Sequence, residues 1–184
     1  MGLFAQWRAA RRLQRKAERF VQTLLAEPSP DDVQWLASTA TRGDEDHARW
    51  ELSYAKRAIG TLVAQRDALD DRTGSVVART VVAAFEKDDR IGRDRIDLAE
   101  RQFNVRLSAY RDALAARVAE AAPRLGQTLL AFAGGSFKDI DAHVRRAGDI
   151  LASYETDANE NLRLIFGEAA LPENVPPSAV VGSR

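Results

Sequence analysis

The hydrophobic and basic positions near the start of the chain separate onto two faces of a helix. Over residues 3–25, the apolar positions fall on one arc of a helical wheel: Trp7, Ala10, Leu13, Ala17, Phe20, Val21, Leu24 and Leu25. The basic positions fall on the opposite arc: Arg8, Arg11, Arg12, Arg15, Lys16 and Arg19. This separation predicts an amphipathic helix, which Pro28 and Pro30 end near Glu27.

Helical spacing continues along the next part of the chain. Ser29 is placed to cap a short second helix that begins at Pro30 and turns Trp35 inward. A third helix is predicted from residue 44 to about residue 69, after a break at Gly43. The segment 75–85 is apolar around most of its circumference, so we expect it at the centre of a bundle. Its valines leave a strand as the alternative.

The second half of the chain predicts three more helices. A fifth helix follows the charged connector 87–94 and runs to about residue 122, where Pro123 ends it. A short apolar helix over 125–133 is closed by two glycines. The last helix runs to about residue 166.

The end of the chain lacks a helical period. Ser136 and Asp139 are spaced like a capping arrangement for the last helix. Beyond residue 166, three prolines and no regular apolar spacing predict an extended or disordered tail.

The composition is typical of one helical domain. The chain has 184 residues, of which 45% are hydrophobic, enough for one substantial core. Abundant Ala, Leu, Arg, Asp and Glu favour helix. We therefore expect an all-α, single-domain helical bundle of five to seven helices. Its predicted parts are a basic amphipathic N-terminal helix over residues 1–27, the bundle core over 28–166 and a flexible tail over 167–184.

Charge is balanced in total and uneven along the chain. There are 27 basic and 27 acidic residues, yet residues 1–26 hold six basic groups and one acidic group, so the excess of negative charge lies in the rest. A basic nucleic-acid-binding protein is therefore not expected. The absence of cysteine excludes disulfides, thiolate nucleophiles and Cys-ligated metals. Arginines interrupt any apolar signal at the start, so we expect a cytoplasmic protein, which could attach peripherally to a membrane.

Four inward-facing polar residues form the candidate metal site. His47 and Glu51 lie one turn apart on the third helix, Glu100 lies on the fifth and His143 on the last. Such side chains bind iron, manganese or zinc in helical bundles. The Glu-x-x-His pattern of di-iron proteins does not occur here. The alternative is that a glutamate pairs with an arginine such as Arg66, with the histidines at the rim of the core.

The basic face of the first helix has two interpretations. The helix packs in the bundle with its arginines in water, or its apolar face docks on an anionic membrane or a protein partner. Its basic face has no interleaved aromatic residues, as a single-strand nucleic-acid binder would have.

The expected function is that of a non-catalytic interaction or scaffold protein. We expect it to self-associate or to bind a protein partner through the first helix or through an exposed aromatic region at Trp35 and Trp50. A Ser, His and acid set on a nucleophile-elbow glycine pattern is absent, and Gly134-Gly135-Ser136 lacks a Walker lysine. The alternatives are a carboxylate/histidine metal-binding bundle, acting as an oxidoreductase or storage protein, and a peripheral membrane protein.

Overall fold

The protein is all-α, as predicted. A computed structural model describes residues 3–68, 70–135 and 141–167, and these contain no strand. Its helices are α1 (Leu3–Leu25), α2 (Pro30–Thr39), α3 (Glu45–Asp67), α4 (Asp71–Phe85), α5 (Ile96–Leu114), α6 (Val118–Phe132) and α7 (Asp141–Phe166), with a 3₁₀ turn at Arg93–Arg95. No helix in the described part is both long and apolar enough to cross a bilayer. The predicted cap at Ser136 and Asp139, and the tail beyond Gly167, lie outside the described residues.

Local side chains explain where several helices begin and end. The Asp44 carboxylate accepts a hydrogen bond from the His47 amide at 2.9 Å and caps α3. Asp70 caps α4 in the same way, accepting from the Thr73 amide at 2.6 Å. Because that cap precedes Asp71, α4 begins four residues before the apolar segment 75–85 that the sequence marks. Gly134 follows α6 with φ +85°, a conformation that favours glycine.

The central helix of the bundle is α3. It packs against each of the other six helices, and nearly all of its side chains from 51 to 64 are buried. The expectation that segment 75–85 is central was wrong. Val77 and Val81 of α4 are buried, but Arg79 faces solvent. Small side chains along α3 let the neighbouring helices pack close to it. The larger valines of α4 do not allow such a close approach.

The second half of α1 belongs to the core. Ala17, Phe20, Val21 and Leu24 are all buried. Leu24 packs directly on Gly60 of α3, and a Cβ added at Gly60 would collide with it. The C-terminal half of the apolar face of α1 is therefore covered by the bundle.

The boundary between α5 and α6 differs from the prediction. Helix α5 ends at Leu114, and Pro123 lies inside α6 instead of ending α5. Proline has no N–H, so the Ala119 carbonyl one turn earlier loses its helical partner, but Ala119 is exposed to water. Further along, Gly148 of α7 lies against α6, and a Cβ there would be 2.6 Å from the Ala122 carbonyl oxygen. This close approach fixes α6 against α7.

Candidate functional site

The first half of α1 extends beyond the covered part of the same helix. The side chains of Phe4 and Trp7 are 81% and 54% exposed, while Ala10 and Leu13 are partly buried. All six basic residues of the opposite arc are exposed. One rigid helix is thus anchored at its C-terminal half and presents aromatic and basic side chains at the other. We call this surface, residues 4–12, the α1 tip.

The basic side chains of α1 have no acidic partner among the described residues. The Arg11 guanidinium lies 4.3 Å from the centre of the Trp7 ring, and Arg8 Nε donates to the Phe4 carbonyl at 3.4 Å. Neither contact neutralises charge. Among the described residues, the helix therefore carries a row of basic side chains without a paired acid.

The structure places Glu51 in a buried ion pair. Arg106 of α5 donates through Nε to Glu51 Oε2 at 2.7 Å and through Nη2 to Oε1, and the Glu51 side chain is 3% exposed. The Arg106 guanidinium also lies over the rings of Tyr54 and Phe132, at 4.9 and 4.6 Å. His47 Nε2 approaches Glu51 Oε1 at 3.4 Å. Both carboxylate oxygens of Glu51 therefore already accept hydrogen bonds from the Arg106 guanidinium.

The remaining predicted metal ligands lie elsewhere. Glu100 is partly buried on α5, and His143 is exposed on α7, with its ring 6.4 Å from that of Trp35. In the described part of the chain, no group of three or more His, Asp or Glu side chains is arranged to hold a metal ion. Of the four, the structure brings His47 and Glu51 into contact.

The arginine that pairs with Glu51 is not the one suggested by the helical wheel. Arg66 pairs instead with Asp67 at 2.7 Å and with Glu155 at 2.9 Å. The predicted exposed aromatic region is also wrong. Trp35 and Trp50 are partly buried and pack against the core. Aromatic side chains near a helix surface bury their rings when neighbouring helices supply the apolar contact.

A second buried cation, Arg57, was not singled out from the sequence. Arg57 belongs to α3, and its side chain is buried, with 2% exposure. Its Nη2 donates to Asp88 Oδ2 at 3.3 Å. Its Nε and Nη1 atoms have no hydrogen-bond partner among the described residues. Burial lowers the pKa of Arg57. The available signal was its position one turn from Tyr54 and one turn from Thr61, on a face that is otherwise buried.

Asp88 joins Arg57 to the surface. Arg90 donates to Asp88 through Nε and Nη2, at 2.9 Å each, and also pairs with Glu27 at 2.6 Å. These hydrogen bonds from Arg90 lower the pKa of Asp88 to about 2. The connector between α4 and α5 is therefore tied by charge to both α3 and the end of α1.

A cleft of about 690 Å³ opens beside this cluster. Its walls come from α1, α3, α4 and the α4–α5 connector, and Arg57 forms part of them. Val21, Leu25, Ala83 and Ala84 supply an apolar side. The cleft thus combines apolar wall with a buried cation.

Comparison with known proteins found no match to this chain among protein-family models, curated proteins or solved structures.

Proposed function

We propose that the chain is a non-catalytic helical interaction protein that self-associates through the α1 tip. One observation carries this proposal. Phe4 and Trp7 are exposed on a helix whose other half is fixed in the core, and the arginines around them lack acidic partners among the described residues. A rigid, preorganised surface of this kind loses little conformational entropy on binding.

The surface complementary to the α1 tip lies at the start of α2 and α3. A hollow of about 570 Å³ there has Pro28, Pro30 and Val33 in its wall and Glu45 at its edge. Glu45 is exposed, and so are Asp31 and Asp44, which are next to the lining residues Pro30 and Glu45 in the sequence. We call this hollow and its acidic edge the α2 hollow.

The basic residues of the α2 hollow are already paired within their own chain. Arg49 contacts Asp46 at 2.7 Å, and Arg90 contacts Glu27 and Asp88. The charge left for a partner is therefore negative. It complements the positive α1 tip, as the charge difference between the first 26 residues and the rest of the chain also suggests.

The two surfaces lie at opposite ends of α1. About 20 residues of helix separate Trp7 from the hollow, which corresponds to about 30 Å at 1.5 Å per residue. The tip cannot reach the hollow of its own chain, so the contact joins different copies. Contacts between two different surfaces repeat from copy to copy and form rings or open chains.

The experiment is sedimentation velocity over a concentration series, at low and at high salt. We expect the mean mass to rise beyond a dimer at low salt and to fall when salt shortens the Debye length below about 10 Å. Trp7→Ser with Arg11→Glu should abolish the rise, and so should Glu45→Lys at the other end. Arg145→Glu, a charge change of equal size at an exposed position of α7, is the control and should associate normally.

Mixing the two defective chains tests the head-to-tail arrangement. Each retains one intact surface, so an equal mixture of the tip variant and Glu45→Lys should form dimers that grow no further. A chain that stays monomeric at every concentration and at low salt would overturn the proposal. So would association that survives both sets of substitutions.

A second candidate function is attachment to an anionic membrane surface. The exposure of Phe4 and Trp7 beside Arg8 and Arg11 favours it, since aromatic and cationic side chains suit the headgroup region. The test is sedimentation with phosphatidylglycerol/phosphatidylcholine vesicles, using phosphatidylcholine alone as control. Salt-sensitive binding by a monomeric chain, lost in Trp7→Ser, would establish this function in place of self-association.

A further inference from the structure

The cleft beside α4 contains a buried cation whose hydrogen-bonding capacity is mostly unused. A guanidinium has five N–H bonds, and Arg57 uses one of them, through Nη2, on Asp88. Its Nε and Nη1 have no acceptor among the described residues, and the side chain is 2% exposed. Buried donors are nearly always satisfied, so an unsatisfied set points to an acceptor other than the described residues.

The ring of Phe85 does not replace that acceptor. It lies 5.0 Å from the Arg57 guanidinium carbon and contacts the cation through its face. A phenyl ring has no lone pair, so it does not take the place of an oxygen acceptor for these N–H bonds. A second oxygen-bearing group is still required beside Nη1 and Nε.

The geometry points to a small monocarboxylate with an apolar chain as the ligand of this cleft. The carboxylate would accept from Arg57, and the chain would lie against Val21, Leu25 and the alanines of α4, which form the apolar wall. The volume, about 690 Å³, is that of a small-molecule site. This inference is independent of the proposed self-association.

The other charges of the cleft favour a monoanion over a phosphate dianion. Glu18, Asp88 and Asp89 line the same cleft, and so do Arg79, Lys87 and Arg90, so these opposite charges cancel and a second negative charge on a ligand would meet no uncompensated cation. Arg90 is already held by Asp88 and Glu27. Arg57 is therefore the buried cation with capacity left, and its one positive charge matches one carboxylate.

Isothermal titration of the full chain with four probes tests the ligand class. The probes are octanoate below its critical micelle concentration, acetate, octan-1-ol and inorganic phosphate. We expect octanoate to bind about tenfold or more tightly than octan-1-ol, because charge-assisted hydrogen bonds are stronger than neutral ones. Acetate should bind more weakly than octanoate because it lacks the apolar chain.

Two variants locate the binding. Arg57→Met removes the cation, and Ala83→Leu fills the apolar wall while keeping Arg57. Both should lower octanoate affinity about tenfold or more by loss of the carboxylate contact or of the volume. Their controls are Arg66→Met, which removes another α3 guanidinium outside the cleft, and Ala131→Leu on the exposed side of α6. Both controls should bind octanoate like the unmodified chain.

Several outcomes would overturn the inference. Equal affinity for octanoate and octan-1-ol would mean that the cation is not used. Phosphate binding as tight as octanoate would exclude the monocarboxylate class, and no heat from octanoate would exclude the site. If Arg57→Met does not fold, Ala83→Leu decides: unchanged octanoate binding in that variant would place any ligand outside the cleft.

Discussion

The buried ion pair between Glu51 and Arg106 predicts a large loss of stability when one partner is replaced and a much smaller one when both are. The Glu51 side chain is 3% exposed and that of Arg106 is 12% exposed. Glu51→Met leaves the Arg106 guanidinium between two aromatic rings without its carboxylate, and such a loss costs about 3–5 kcal/mol. For a chain of this size each kcal/mol shifts Tm by about 2–4 °C, so we expect a fall on the order of 10 °C.

The double variant Glu51→Met with Arg106→Met should recover most of that loss. Replacing both members of a buried pair with apolar residues removes the uncompensated charge and is often neutral or stabilising. Urea unfolding of the unmodified chain, both single variants and the double variant gives the coupling energy directly. A coupling below about 1 kcal/mol, the range of exposed pairs, would refute the reasoning.

The chain supplies a matched control for this cycle. Arg124 Nη2 lies 2.9 Å from Glu120 Oε2 on α6, with both side chains about half exposed. The same four-variant cycle there should give about 0.5 kcal/mol or less, because solvent screens the pair. A similar coupling at both sites would show that burial is not the source of the difference.

Two further predictions concern α1 and Asp88. Deleting residues 2–12 should leave Tm within a few degrees of that of the unmodified chain in a circular dichroism melt. Deleting residues 2–27 removes Phe20 and its buried neighbours, each worth about 2 kcal/mol, and should abolish the cooperative transition. Equal melting curves for the two deletions would contradict this prediction. Asp88 has a pKa of about 2, below the ordinary value of about 3.9, so its contribution of about 2 kcal/mol is present above pH 4 and is lost as the pH falls through 2. In urea unfolding, the free energy of unfolding should therefore fall less with decreasing pH in Asp88→Asn than in the unmodified chain. An equal fall in both chains would disprove the contribution assigned to Asp88.

Helical period along the chain was enough to place α1. The apolar and basic arcs over residues 3–25 correspond to Leu3–Leu25, and Pro30 begins α2 as its position predicts. Amphipathic spacing and proline are local signals, which act whatever the helix packs against. The all-α class follows from the same signals repeated along the chain.

Pairing between distant residues could not be predicted in this way. Glu51 and Arg106 are 55 positions apart, and nothing in either helix alone selects one from the other. The central position of α3 depends on small side chains that let the other helices approach it. The number of apolar residues instead predicted that the valine-rich segment near Val77 would be central. Arg57 is similar: its burial depends on α1, α4 and the connector closing over it.

The central position of α3 also determines how the bundle comes apart. Each of the other six helices rests on α3, so the departure of any one of them exposes part of its buried surface to water. This shared dependence on α3 favours cooperative, two-state unfolding. The α1 tip is outside this arrangement, because Phe4 and Trp7 make no contribution to the buried core. The tip can therefore change its contacts without loosening the rest of the molecule.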